Sequence, residues 1–131
     1  MQFTEHELTA AVAVLARTSF ESLPGFLRQQ AGATSWDDLP KPARYPYLKA
    51  AGDFILPAFA ALPERPTIGA TPNFTNEEYE RAARAALKVE EGRLDRGQRK
   101  AVKASAPLIR LAIEALPLRH DPDSFVVPDH L

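Results

Sequence analysis

The same helix-opening device occurs twice in this chain, and it restricts the fold more than any other feature. Its first copy reads Phe3-Thr4-Glu5-His6-Glu7-Leu8. A Thr just before a helix accepts a hydrogen bond from the backbone N–H three residues on, and a Glu at that third position reaches back to the Thr N–H. Thr4 and Glu7 fit those roles, while Phe3 and Leu8 are the apolar pair that staples across the cap. Leu8, Val12, Leu15 and Ala16 follow at helical spacing, which predicts a helix over residues 5–18.

The second copy is Phe74-Thr75-Asn76-Glu77-Glu78-Tyr79, with Phe74 and Tyr79 as the staple, Thr75 as the cap and Glu78 as the returning carboxylate. Ala82, Ala83, Ala86 and Leu87 continue its apolar face, and Arg81, Arg84 and Lys88 line the other. Gly92, after Glu91, is placed to close this helix in a left-handed C-cap.

Ser35-Trp36-Asp37-Asp38 reads as a third capped start, but Pro40 and Pro42 interrupt it, so one short turn should precede the next long helix. That helix carries Tyr47, Ala51, Phe54, Ala58 and Leu62 on one stripe and Leu48, Ile55 and Phe59 on the next. An apolar surface so wide belongs at the centre of a bundle. Pro57 withholds an N–H from the Asp53 carbonyl, which predicts a kink because the pattern continues past it. The last helix begins near Asp95 and carries Val102, Leu108, Ile109, Ala112, Ile113 and Leu116, with Pro107 expected to kink or split it. Phe125-Val126-Val127 alone resembles a strand, and without a partner strand it reads as an extended segment lying on the bundle.

Counted back from a closing Leu-Pro, residues 48–63 align with residues 102–117. Lys49 falls on Lys103, Ile55 on Ile109, Ala58 on Ala112 and Ala61 on Ala115. The surplus of the first connector lies in residues 21–38, where Leu23, Phe26, Leu27 and Trp36 suggest an extra short helix. Duplication is one reading; the other is that Ala-rich amphipathic helices resemble one another by chance. The fold class is therefore all-α: an antiparallel bundle of four main helices with one or two short ones, readable as two duplicated hairpins, and an extended Pro-rich C-terminal tail. One domain over 1–131 divides into a first hairpin (1–63), a linker (64–73), a second hairpin (74–117) and the tail (118–131).

Composition narrows the chemistry. With 131 residues and 45% hydrophobic content the chain can bury a core without crosslinks. It has no cysteine, which removes disulfides, thiolate metal sites and cysteine nucleophiles. A net charge of −1 supplies no general attraction to nucleic acid or anionic lipid. No leader pattern is visible, and the longest apolar run, Phe54 to Leu62, is about half of a bilayer span, so a cytoplasmic protein without membrane attachment is the expectation.

No nucleophile elbow, phosphate-cradling glycine loop or His-Glu-x-x-His appears, so the chain does not read as an enzyme and no cofactor is implied. His120, Asp121 and Asp123, with Asp129 and His130 beyond them, could hold a divalent ion, but they lie on a proline-broken segment that fixes no ligand directions. Residues 81–103 hold eight basic side chains against Glu90, Glu91 and Asp95. Arg96, Arg99, Lys100 and Lys103 share one side of the last helix and could track phosphates; the plainer reading is a solvated outer face, since no aromatic residue interleaves them. Asp53 would be a functional candidate beside the Pro57 kink if buried, since burial raises a carboxyl pKa. His6, beside Glu5 and Glu7, reads as a surface residue. Trp36, Tyr45 and Tyr47 flank the proline-rich corner as a candidate partner surface, with core packing the alternative for Trp36 and Tyr47.

The opening Phe-Thr-Glu-His-Glu-Leu and the close, Leu-Pro-Leu-Arg-His-Asp-Pro-Asp through Val-Val-Pro-Asp-His-Leu, resemble the ends of a group of small uncharacterised actinobacterial proteins. That resemblance spans the chain and implies no activity, so it transfers no functional residue. The leading expectation is a helical interaction protein that self-associates or docks a protein partner. The alternatives are weak nucleic-acid binding through residues 81–103 and a small-molecule pocket near Pro57.

Overall fold

A computed structural model describes residues 1–65, 71–89 and 92–117. Those residues form five helices and no strand: α1 (Glu5–Glu21), α2 (Gly25–Ala31), α3 (Lys41–Ala61), α4 (Asn76–Ala86) and α5 (Arg96–Glu114).

Both expected capping boxes are made. The Glu7 N–H donates to Thr4 Oγ1 at 3.1 Å and the Thr4 N–H to Glu7 Oε1 at 2.8 Å; the Glu78 and Thr75 pair repeats those distances at α4. The second staple also forms, with the Phe74 and Tyr79 rings edge-on at 5.6 Å. Phe3 sets its ring 4.5 Å from Phe59, so the residue before the first cap packs on α3. α5 opens with a third box, Asp95 accepting the Gln98 N–H at 2.7 Å while Gln98 Oε1 accepts the Asp95 N–H at 3.0 Å. Ser35 reaches Asp38 at 3.0 Å and the Leu39 N–H reaches the Trp36 carbonyl at 3.1 Å, so that start yields one turn.

Helix ends depart from the sequence expectation in two places. α1 continues to Glu21. α4 stops at Ala86, well before Gly92, because Lys88 turns left-handed at φ 55. There the Val89 N–H bonds the Arg84 carbonyl at 3.0 Å and the Lys88 N–H that of Ala85 at 3.2 Å, which closes the helix as a Schellman motif. Pro107 does not split α5, and α3 runs through both Pro46 and Pro57. The extra short helix falls where the longer first connector placed it, as α2, and Gly32 ends it at φ 129.

α1 packs on α3 and α5, α3 packs on α4, α4 packs on α5, and α3 also touches α5. The wide apolar surface of α3 thus meets three other helices. Phe3 lies on Phe59 and Phe20 lies 5.3 Å from Tyr47, so α1 and α3 run in opposite directions. Phe20, Leu39, Ile55, Phe59, Ile109 and Ile113 are the largest fully buried side chains, each worth about 1.5–3 kcal/mol of transfer free energy. Burial follows the alignment of the two halves: Ile55 and Ile109, Ala58 and Ala112, and Ala11 and Ala82 are all fully buried, and Phe59 and Leu62 match the buried Ile113 and Leu116.

Candidate functional site

The C-terminal end of α1, the 35–39 turn and the start of α3 converge on an aromatic cluster. Phe20 lies 5.9 Å from Trp36 and 5.3 Å from Tyr47, and Trp36 lies 6.2 Å from Tyr47. Arg44 sets its guanidinium 5.4 Å from the Trp36 ring centre while donating to the carbonyls of Leu39 at 2.9 Å and Asp37 at 3.1 Å. Arg17 pairs with Asp37 across the same turn at 2.6 Å. These contacts hold Trp36 in the interior at 6% exposure and leave Tyr47 half-buried. Of the three aromatic candidates, Tyr45 alone presents its ring to solvent, at 63% exposure.

α2 buries none of its residues. Phe26 is 64% exposed and Leu27 sits at the edge of exposure. The sequence marked these two as helix formers, not as surface. With Tyr45 on α3 they give this end of the molecule three of its exposed large apolar side chains; Leu56 and Leu108 are the others among the described residues.

Arg96, Arg99, Lys100 and Lys103 are exposed on α5, and none is ion-paired among the described residues. Arg81 is also exposed, whereas Arg84 is half-buried with its Nε lacking a hydrogen-bond partner among the described residues. Glu90 and Glu91 of the same segment lie outside the described residues.

Asp53 is exposed and accepts a hydrogen bond from Lys49 Nζ at 2.9 Å. That bond, with the attraction behind it, raises the Lys49 pKa above its ordinary value. The burial that would have made Asp53 an acid–base candidate is missing. Asp53 instead edges an open depression with Phe54, Leu56, Pro57, Ala86 and Lys88. His6 is exposed. The metal candidates His120, Asp121 and Asp123 lie outside the described residues, as do the rest of the 118–131 tail and its Phe125-Val126-Val127 run. Among the described residues no three His, Asp or Glu side chains gather as a metal site, and no helix is long and apolar enough to cross a membrane.

No family model, curated protein or solved structure matches the chain.

Proposed function

We propose that the chain is a protein-interaction module that docks a protein partner or a second copy of itself through the corner formed by α2 and the start of α3. One observation carries this reading: α2 has no fully buried residue and sets only Ala31 against the core, yet it holds Phe26 at 64% exposure close in sequence to the Phe20–Trp36–Tyr47 cluster that braces the corner. Scattered single apolar side chains are ordinary on a surface. A helix that buries none of its residues while exposing a phenylalanine is less so, because ordering it gains little apolar burial in return. The braced turn beneath would hold such an anchor in place, which lowers the entropy lost on docking.

The architecture in this proposal is an antiparallel four-helix bundle of two duplicated hairpins with an extended Pro-rich tail, in a cytoplasmic protein of the actinobacterial group that its two ends resemble. The matched burial of Ile55 with Ile109 and Ala58 with Ala112 supports the duplication. Sedimentation velocity on the full chain, alone and after incubation with native extract, tests the docking. A strict monomer that captures no partner removes this reading.

Nucleic-acid binding is the second reading, favoured by the exposure of Arg96, Arg99, Lys100 and Lys103 without ion-pair partners among the described residues. It requires salt-sensitive binding to mixed DNA or RNA that reversal of charge at Arg96, Arg99 and Lys100 weakens. A gel shift without retardation at low salt removes it.

A further inference from the structure

α4 and α5 do not meet flush. Between them lies a cleft of about 260 Å³ with Tyr79 and Glu80 on one wall and Lys103, Pro107 and Arg110 on the other. Its volume falls just under the range of about 300–1,000 Å³ usual for drug-sized ligands, so it suits a smaller molecule. Two groups on its walls lack the partners that such groups normally find. Tyr79 is 6% exposed, yet its hydroxyl makes no hydrogen bond among the described residues. That hydroxyl is not among the sealed, unpartnered side-chain atoms of the described residues, Arg28 Nε and Arg84 Nε, so it reaches solvent from a residue that lines the cleft. Pro107, lacking an N–H, leaves the Lys103 carbonyl without its helical donor.

The charges around these two groups have opposite signs on opposite walls. Lys103 is exposed and unpaired among the described residues, and Arg110 holds Glu114 at 3.0 Å through one nitrogen only, leaving other donors. Glu80 faces them from α4. Burial raises the Tyr79 pKa above 10.0 against the pull of Arg110, so its hydroxyl keeps its proton at neutral pH.

We propose that this cleft binds a small amino-acid-like zwitterion, its carboxylate taken by Lys103, Arg110 and the Tyr79 hydroxyl and its ammonium by Glu80 and the Lys103 carbonyl. The apolar part of the molecule rests on Ala106 and the Pro107 ring. An anion alone would meet Glu80, and a cation alone would meet Lys103 and Arg110; only a molecule with both charges satisfies both walls. This site is separate from the α2 corner and stands or falls independently of the interaction reading.

The test is an amide-detected NMR titration of the full chain with L-norleucine, hexanoate and n-pentylamine, which share an apolar body and differ in the charges they carry. Norleucine is expected to give saturable shifts centred on Tyr79, Ala106 and Arg110, with the two truncated probes at least about fivefold weaker. Lys103→Met and Glu80→Gln should each weaken norleucine by about tenfold, the scale of one charge-assisted hydrogen bond. Both variants should keep the wild-type spectrum elsewhere, because Lys103 is exposed and Glu80 only half-buried. The proposal is overturned by the absence of saturable shifts at the cleft, by a truncated probe binding as tightly as norleucine, or by unchanged affinity in the two variants.

Discussion

Arg65 and Glu78 form an ion pair that ties the segment after α3 to the first turn of α4, and the same guanidinium lies 5.6 Å from the Phe74 ring centre. Glu78 therefore completes the capping box and anchors the connection at once. Its carboxyl is held below the ordinary value of 4.5, chiefly by the Thr75 backbone N–H, with Arg65 adding to that and partial desolvation opposing it. A depressed carboxyl pKa contributes stability that is complete above the ordinary value and disappears as pH falls through the folded one. Glu78→Gln keeps an oxygen for the Thr75 N–H but loses the charge. It should melt below the wild type at neutral pH, and the gap should close well under pH 4.5. A gap that stays constant across that range would mean that the charge of Glu78 adds nothing.

Removal of the two threonine caps should have unequal effects. Loss of an N-cap side chain costs about 1 kcal/mol, within a range of about 0.5–2. At Thr75 the expected loss is ordinary, because Glu78 is only half-buried and holds Arg65 besides. At Thr4 the returning carboxylate belongs to Glu7, which is 5% exposed and is the buried charged residue of the described chain. Disturbing a box around a buried carboxylate costs more than disturbing one at the surface. Urea unfolding should place Thr4→Ala below Thr75→Ala with unchanged slopes, and the double variant should lose the sum.

What could be read from the sequence follows from which forces are local. The Thr4 and Thr75 boxes and the Asp95 start were legible because an N-cap is written within four residues. The buried faces of α3 and α5 were legible because helical periodicity marks them. The end of α4 was not, since Gly92 offered a cheap left-handed residue while the chain turned at Lys88, where propensity argues against it. The candidate sites were less legible than the fold. Trp36 and Tyr45 lie in one proline-rich stretch, and only tertiary packing on Phe20 sends the first inward while the second stays out. The α4–α5 cleft depends on Tyr79 and Pro107 facing one another, which no local pattern records.

Lys88 offers a direct measure of the strain at that turn. A residue with a Cβ in the left-handed region is disfavoured by about 1–2 kcal/mol, and glycine avoids the clash at some cost in unfolded-chain entropy. The Schellman bonds at Lys88 and Val89 come from backbone groups and survive the change. Lys88→Gly should therefore raise stability by about 0.5–1 kcal/mol, read from the urea midpoint. Lys88→Val, whose branched side chain tolerates φ 55 poorly, should lower it.

The α2 corner separates stability from association. Phe26→Ser and Tyr45→Ser remove exposed rings, so each should shift folding stability by no more than about 0.5 kcal/mol. Together they should abolish the partner-dependent or concentration-dependent species in sedimentation velocity. Trp36→Ala lies a few residues away but opens the interior beneath Arg44, and should cost about 3–5 kcal/mol. Wild-type association in the Phe26→Ser/Tyr45→Ser protein would place docking elsewhere on the molecule.

Gly52 carries the sharpest consequence of the proposed two-hairpin architecture. It sits inside α3 at the position that Ala106 occupies inside α5, three residues before Ile55 and Ile109 respectively. Glycine within a helix is less favourable than alanine by about 0.8–1 kcal/mol. A Cβ built at Gly52 meets Val12 Cγ2 of α1 at 4.0 Å, an ordinary van der Waals contact, so nothing prevents the first half from adopting the residue of the second. Gly52→Ala should stabilise the chain by about 0.5–1 kcal/mol, and Ala106→Gly should destabilise it by a similar amount. Equal and opposite shifts in the urea midpoint would show that the two positions are structurally equivalent. A loss of stability in Gly52→Ala would mean that α1 and α3 approach more closely than α4 and α5, and the halves would then not be copies at their centres.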